Sequence, residues 1–231
     1  MALFGSGIPL AVLPGGTSNV LARELGIPLD PEEAAQLLFT GERRAVRILT
    51  ANDHTFLLWA GAGLDARVMA NMSLLLKRRL GRVGIFFTAA SEFLRYEFPR
   101  LQVTVDGEAH EATFAVACHA RFYGGDWVIA PEASFESDEM DVLLFSGRSR
   151  WKLFRLFVQM KRGRSDHLTD GIARIVRGRH VEIRSREPYA VEIHADGDCV
   201  LETPVVCRAT PQMVEVLVPP VGGPEAPRAR A

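Results

Sequence analysis

Two short stretches of the sequence carry residue types that could do chemistry. The first is Gly15-Gly16-Thr17-Ser18-Asn19, set between the mostly apolar run Leu10 to Pro14 and the helical spacing of Val20 to Leu25. The apolar run reads as a short buried strand that stops at the proline, and the segment after the glycines reads as the start of a helix. Two glycines permit positive φ angles and close approach by a ligand, the Thr17 or Ser18 hydroxyl can cap the helix, and Asn19 adds an amide. Strand, glycine turn and helix N-terminus together present backbone N–H groups to an anion, usually a phosphate. Any tight strand-to-helix connection also benefits from these residues, so the pattern alone leaves both readings open. It is not a Walker A loop, since no Lys follows the glycines, and it is not G-x-G-x-x-G. Gly16-Thr17-Ser18-Asn19-Val20 falls one glycine short of the G-x-S-x-G that would make Ser18 a hydrolase nucleophile.

The second stretch is Ala195-Asp196-Gly197-Asp198. A carboxylate here could act as general base toward an attacking hydroxyl, yet Asp-Gly between alternating strands is equally a standard hairpin turn. Asp106-Gly107-Glu108 spells a similar turn much earlier in the chain. His194-x-Asp196-x-Asp198 also spaces three metal-ligand types, without a further His or Cys at ligand spacing to complete a site. A third feature is electrostatic. Arg148, Arg150, Lys152, Arg155, Lys161, Arg162, Arg164, Arg174, Arg177, Arg179, Arg184 and Arg186 cluster with few acids between them. Beside an apolar helix face, such a cluster serves either as a dock for an anionic membrane or as a solvated face.

These candidates must be positioned by a chain of 231 residues, 48% hydrophobic, long enough for one large or two small domains with a real core. With 27 basic against 28 acidic residues, no global case for nucleic-acid binding exists. Cys118, Cys199 and Cys207 lack C-x-x-C spacing and read as free thiols in a reducing compartment. No signal peptide opens the chain, and its apolar runs fall short of the ~20 residues that span a bilayer, so a cytoplasmic location is expected. The opening helix closes at Gly26, and Asp30-Pro31-Glu32-Glu33 starts a second that stops at Gly41. From Ala45 the texture becomes all-β, with strands expected over Ala45 to Thr50, Thr55 to Ala60, Leu101 to Val105, Ala112 to His119, Trp127 to Ala130 and Met140 to Phe145. Further strands are expected over Ile172 to Val176, His180 to Arg184, Ala190 to Ala195 and Met213 to Val218. Helical insertions are expected over Ala66 to Arg79, Val83 to Phe98 and Trp151 to Lys161, the last with Trp151, Phe154, Phe157 and Val158 on its apolar face. The fold class is therefore α/β plus all-β: a remnant of a nucleotide-binding α/β domain over 1–44, and a β-sandwich with helical insertions over 45–218. The last strand is free to return to the first domain, and a disordered tail over 219–231 is expected.

Pro9 to Pro28, PLAVLPGGTSNVLARELGIP, resembles the second nucleotide-binding segment of the diacylglycerol kinase and sphingosine kinase superfamily, in particular its soluble bacterial lipid kinases. Gly61-Ala62-Gly63-Leu64-Asp65-Ala66 resembles that family's G-x-G-[FL]-D-A turn, and Phe122-Tyr123-Gly124-Gly125 with Ile129-Ala130-Pro131 resembles its Y-G-G-G…I-A-P segment. The resemblance runs from Ile8 to Pro219 and implies transfer of the ATP γ-phosphoryl group, with Mg²⁺ on the nucleotide, to the hydroxyl of a diacylglycerol-like lipid. By this likeness Gly15, Gly16, Thr17, Ser18 and Asn19 would hold nucleotide, Asp65 would lie at the substrate cleft, Asp196 would be the base and Asp198 its helper. The lipid substrate implies work at a membrane surface, with peripheral contact through the basic region 148–186. The family's structural Mg²⁺ stretch, D-G-x-L-D, matches Ser137-Asp138-Glu139-Met140-Asp141 poorly: Ser137 stands where the metal-binding Asp belongs, and Asp138 could substitute only with a shifted loop, so no bound metal is expected here. Cys118-His119 stands where the family has an Asn. The family's Gly-Gly-Asp-Gly-Thr motif, which precedes the matched segment, is absent, so the chain resembles the family minus its first strands and helices. On that view residues 1–44 should be poorly ordered or prone to aggregate, and an inactive chain is among the readings. The rivals are a non-catalytic lipid- or partner-binding β domain, an NAD kinase relative and a serine hydrolase using Ser18.

Overall fold

Short runs of Val, Ile, Leu and aromatic residues broken by Asp-Gly and Asn-Asp turns can satisfy their backbone groups by pairing with one another. In the computed structural model they form two antiparallel sheets of six strands each. The structure describes residues 6–71, 84, 87–163, 168 and 170–220. Helices α1 (Val20–Glu24) and α2 (Pro31–Thr40) precede strands β1 (Glu42–Ala51), β2 (His54–Phe56) and β3 (Trp59–Ala62). Helices α3 (Leu64–Ala70) and α4 (87–95) lead into β4 (Leu101–Val105), β5 (Glu108–Ala112), β6 (Phe114–Cys118), β7 (Phe122–Tyr123), β8 (Trp127–Val128) and β9 (Met140–Phe145). After α5 (Arg150–Lys161) come β10 (Arg174–Gly178), β11 (His180–Ser185), β12 (Glu192–Ala195), β13 (Asp198–Glu202) and β14 (Val205–Val218).

The first sheet has the order β2-β1-β14-β11-β4-β5 and the second β10-β9-β6-β3-β12-β13, while β7 and β8 form a separate hairpin. In β4 buried residues alternate with half-buried ones, as in a strand with one face on a core. Every residue of β6 and β9 is buried, which requires cover on both faces. Leu49, Phe56, Val103 and Ile183 of the first sheet meet Ala115, Ala117, Val142 and Ile193 of the second in the sandwich core. The alternate residues Phe114, Val116, Leu143 and Phe145 point away from it, into a second core with Leu64 and Val68 of α3 and Leu153, Leu156 and Met160 of α5. The molecule thus has three layers, sheet on sheet on helices.

Residues 6–44 join this arrangement: Val20, Ala22, Leu25, Ile27, Ala34 and Leu37 belong to the same core as Phe114 and Leu153. Strand β14 pairs with β1 through Val218, and Leu10 adds a parallel bridge to Val216. The strand expected over Leu10 to Pro14 shrinks to that bridge, because beyond it the segment has no neighbouring strand among the described residues and Pro14 has no N–H to donate. The apolar face expected of the helix at Trp151 is also corrected. Leu153, Leu156 and Met160 are buried with Phe157 half-buried beside them, whereas Trp151 and Phe154 face outward. The helix carries two overlapping apolar stripes, and the one centred on Leu156 fits the sheet. Most of the expected helix after Ala70, parts of 83–98 and the tail from 221 lie outside the described residues. Among the described residues no helix is long and apolar enough to cross a membrane.

Candidate functional site

The glycine loop opens helix α1 from an unusual start. Asn19, the residue before the helix, adopts the left-handed conformation with φ 48° and ψ 44°, which Asn tolerates better than most. Its Oδ1 accepts from the Gly16 N–H at 2.8 Å and its Nδ2 donates to the Pro14 carbonyl at 3.3 Å, so its side chain closes the loop from within. The helix start is therefore Asn19, where the sequence pointed to a hydroxyl of Thr17 or Ser18, and no side chain caps it. The Gly15 amide also turns inward, onto the Leu13 carbonyl at 2.8 Å. Both glycine N–H groups are spent on the loop, which leaves Ser18, Asn19 and the first turn of α1 to offer amides to an anion. Arg23, a cation the sequence reading passed over, lies against the loop with Nε on the Ser18 carbonyl at 3.1 Å.

The turn Asp196-Gly197 sits between β12 and β13 with φ 50° and 91°, the left-handed pair of a tight hairpin. Although Asp196 is exposed as a residue, its carboxylate reaches onto a neighbouring segment. Oδ2 accepts from the Leu57 N–H at 2.8 Å, and Oδ1 from those of Leu58 and Trp59 at 2.8 and 3.1 Å. Crowding around the carboxyl pushes its pKa up, opposed by those three amides. Asp198 is exposed, and among the described residues its carboxylate has neither hydrogen-bond nor ion-pair partner.

Beneath the turn lies a polar cluster that only the fold assembles. His194 is buried and its Nδ1 accepts from the Gly197 N–H at 3.3 Å, which leaves Nε2–H to donate to Asp65 Oδ2 at 2.6 Å. Tyr123 donates to the same oxygen at 2.6 Å, and the Ala66 N–H to Asp65 Oδ1 at 2.7 Å. Burial raises the Asp65 carboxyl, but His194, Tyr123 and the Ala66 amide outweigh it and hold it below the ordinary carboxylate range. Burial and the adjacent Asp65 push the Tyr123 phenol well above its usual value. A Cβ at Gly61 would collide with Asp65 Oδ2 and His194 Nε2, so this close approach needs glycine. Asp65 is thus fully engaged within the protein. Trp59 ties the parts together: its backbone bonds Asp196, its indole N–H donates to the Phe122 carbonyl at 2.9 Å, and its ring lies 5.1 Å from that of Tyr123 and 5.6 Å from that of His194.

The glycine loop reaches the same assembly through Glu24 at the far end of α1. Its buried carboxylate accepts from the N–H groups of Arg121 and Phe122 at 2.9 and 3.0 Å and from Arg121 Nε at 2.7 Å. Loop, β7 and the 196–198 turn are therefore linked by direct contacts through Glu24, Phe122, Tyr123, Asp65, His194 and Trp59.

The stretch matched to the family's structural Mg²⁺ site does not fit a cation. The Ser137 carbonyl accepts from Arg47 Nε at 2.9 Å and lies 3.1 Å from His119 Nε2, and Asp138 pairs with Arg179 at 3.0 Å. A guanidinium group already supplies the positive charge to that loop. Among the described residues no cluster of three or more His, Cys, Asp or Glu side chains could hold a metal ion.

Comparison with known proteins places the chain in a family. Residues 59–218 match the YegS C-terminal NAD kinase beta sandwich-like domain, and residues 1–51 match the diacylglycerol kinase catalytic domain. A diacylglycerol kinase of Mycobacterium tuberculosis is 28% identical over 226 residues, covering 94% of this chain and 71% of the relative. A putative lipid kinase of Staphylococcus carnosus is 24% identical over 213 residues, covering 91% of this chain and 68% of the relative. The crystal structure of a putative diacylglycerol kinase from Bacillus anthracis superposes with a TM-score of 0.73 at 23% identity, over 92% of this chain and 68% of that one. That likeness carries the fold, a small α/β part followed by a β-sandwich. With its sandwich matched almost end to end and the kinase segment matched ahead of it, the chain belongs to the diacylglycerol kinase family of lipid kinases.

Proposed function

We propose that the chain serves an ATP-dependent lipid kinase that transfers the γ-phosphoryl group to the hydroxyl of a diacylglycerol-like acceptor, with the chemistry at the 196–198 turn. The supporting observation is that one contact network joins the glycine loop at 15–19 to that turn. Three amides bind the Asp196 carboxylate into the turn and leave only one Oδ2 lone pair, whereas Asp198 has no partner among the described residues, so the proton is assigned to Asp198 and the shaping of the turn to Asp196. Asp198 accepts the proton of the lipid hydroxyl, the oxygen attacks the γ-phosphorus, and the bond to ADP breaks. Nucleotide phosphates would meet the first-turn amides of α1, with Arg23 beside them. Bound Mg²⁺ would travel with the nucleotide and neutralise phosphoryl charge. Asp65, buried under the turn, supports it through His194. The sandwich's likeness to NAD kinases favours a second acceptor, a ribose hydroxyl, which competition by NAD would reveal.

The test is phosphoryl transfer from labelled ATP to diacylglycerol in mixed micelles. Asp198→Asn should lower kcat by about 10²–10⁴-fold with the melting temperature unchanged. A near wild-type rate would remove Asp198 from the mechanism. Calorimetry checks the loop: a side chain at Gly16 would press on Asn19 Oδ1, 3.0 Å from an added Cβ, so Gly16→Val should abolish ATP binding. Unchanged ATP affinity would move the nucleotide elsewhere.

A further inference from the structure

We infer that the outward face of α5 around Trp151 and Phe154 is a docking surface for an anionic phospholipid bilayer. The inference deepens the lipid-kinase reading, on which it rests for the reason a bilayer is nearby. Trp151 is 67% exposed and Phe154 47%, and their rings stack on each other, 5.7 Å between centroids and 27° between planes. Neither belongs to the core, which takes Leu153, Leu156 and Met160 from the opposite side. Two large aromatic rings at i and i+3 on a solvent face lose free energy in water and gain it in the headgroup layer.

Charge selects the partner. Residues 146–163 contain six cations, Arg148, Arg150, Lys152, Arg155, Lys161 and Arg162, and no acid. Arg155 and Lys161 pair with Asp170 and Asp126 on the flanks, and Arg150 donates to the Tyr96 carbonyl. Arg148 lies within electrostatic reach of Glu187, whereas Lys152 and Arg162 are exposed and have no ion pair among the described residues, so their field reaches outward. Elsewhere in the basic cluster the fold brings Asp141 to Arg177 and Asp138 to Arg179, and Arg184 pairs with Glu182 on its own strand. What remains is an aromatic pair in a positive collar. A second copy docking symmetrically would set two positive helices face to face, whereas anionic headgroups match the charge. The placement also suits the site. Phe157 packs 6.2 Å from the Trp127 ring and Lys161 holds Asp126, so α5 leans on the β7–β8 hairpin that carries Tyr123.

The test uses the whole chain and sedimentation with vesicles. Binding to phosphatidylcholine vesicles doped with phosphatidylglycerol should be clear, weaker for pure phosphatidylcholine and weakened by salt. Trp151→Ala with Phe154→Ala should weaken it by about tenfold or more, and Lys152→Glu by several-fold, with melting temperatures unchanged. Binding that is equal for both vesicle types, or unaltered in the double variant, overturns the inference. So does light scattering that shows a wild-type dimer which the double variant turns into a monomer, since the face would then join two copies. ATP titration separates this from the kinase reading: vesicle binding without ATP binding leaves the docking surface standing and removes the kinase, and the converse removes the surface alone.

Discussion

Two Asp-Gly turns in this chain show what a residue means only after its distant partners are known. Asp106 and Asp196 have φ 46° and 50°, each followed by a glycine at 91°. Both carboxylates cap backbone amides of another segment: Asp106 those of Arg179 and His180, Asp196 those of Leu57, Leu58 and Trp59. In the sequence the turns are twins, because the partners of Asp196 lie up to 139 residues away. The same distance hid the Asp65–His194 pair, separated by 129 residues, although the turn containing Asp65 was legible. The geometry predicts different responses to a neutral isostere. In Asp106→Asn the remaining Oδ1 still reaches both amides, so stability should move by less than about 0.5 kcal/mol. In Asp196→Asn both oxygens are in use, so the new NH₂ must face an N–H, and urea unfolding should show a loss of roughly 1–3 kcal/mol. Equal losses in the two variants would mean that the three amides do not depend on Asp196.

At the scale of elements, legibility followed how local the stabilising interactions are. Helix α2 could be read to the residue, because its signals are its own: Asp30 accepts from the Glu32 and Glu33 N–H groups, Pro31 opens it and Gly41 ends it. Strands β4 and β9 have the bounds their apolar runs indicated. Strand β14 begins at Val205, well before Met213, because pairing with β1 and β11 carries it through a polar stretch, with Pro211 at the irregularity opposite Arg47 and Leu49. Helix α1 is the opposite case to α2. Its five residues are too few to be stable alone, and it has no capping side chain. It is held by apolar packing and by Glu24. Glu24→Ala leaves the Arg121 and Phe122 N–H groups without their acceptor, so the chain should lose roughly 2–3 kcal/mol. Hydrogen exchange should rise in α1 and at 121–122 while β6 and β9 stay protected. Unchanged exchange in α1 would show that packing alone holds the helix, and Glu24 would then not couple the glycine loop to the site.

Among the described residues, two sets of exposed apolar side chains differ in electrical character. The first is the aromatic pair on α5 in its basic collar. The second lies on the outer side of residues 8–39, where Ile8 is 60% exposed, Leu13 58%, Leu38 55% and Phe39 91%, while the inner side of α1 and α2 fills the core. The cations of α5 have no counterpart on α2, whose charged residues are Glu32 and Glu33, so an anionic bilayer is a poor partner for this second surface. Apolar area of this kind instead favours contact with other apolar protein surface, and in a purified chain the available surface is another copy. Light scattering should therefore show association that grows with protein concentration and persists at high salt, where ion pairs are screened. Leu38→Ser with Phe39→Ser should reduce it without lowering the melting temperature, because neither side chain contributes to the core. The vesicle binding assigned to α5 should be the same in this variant. Equal scattering by wild type and variant would show that the outer face of 8–39 is ordinary surface, and that the order of α1 and α2 comes from the core beneath them alone.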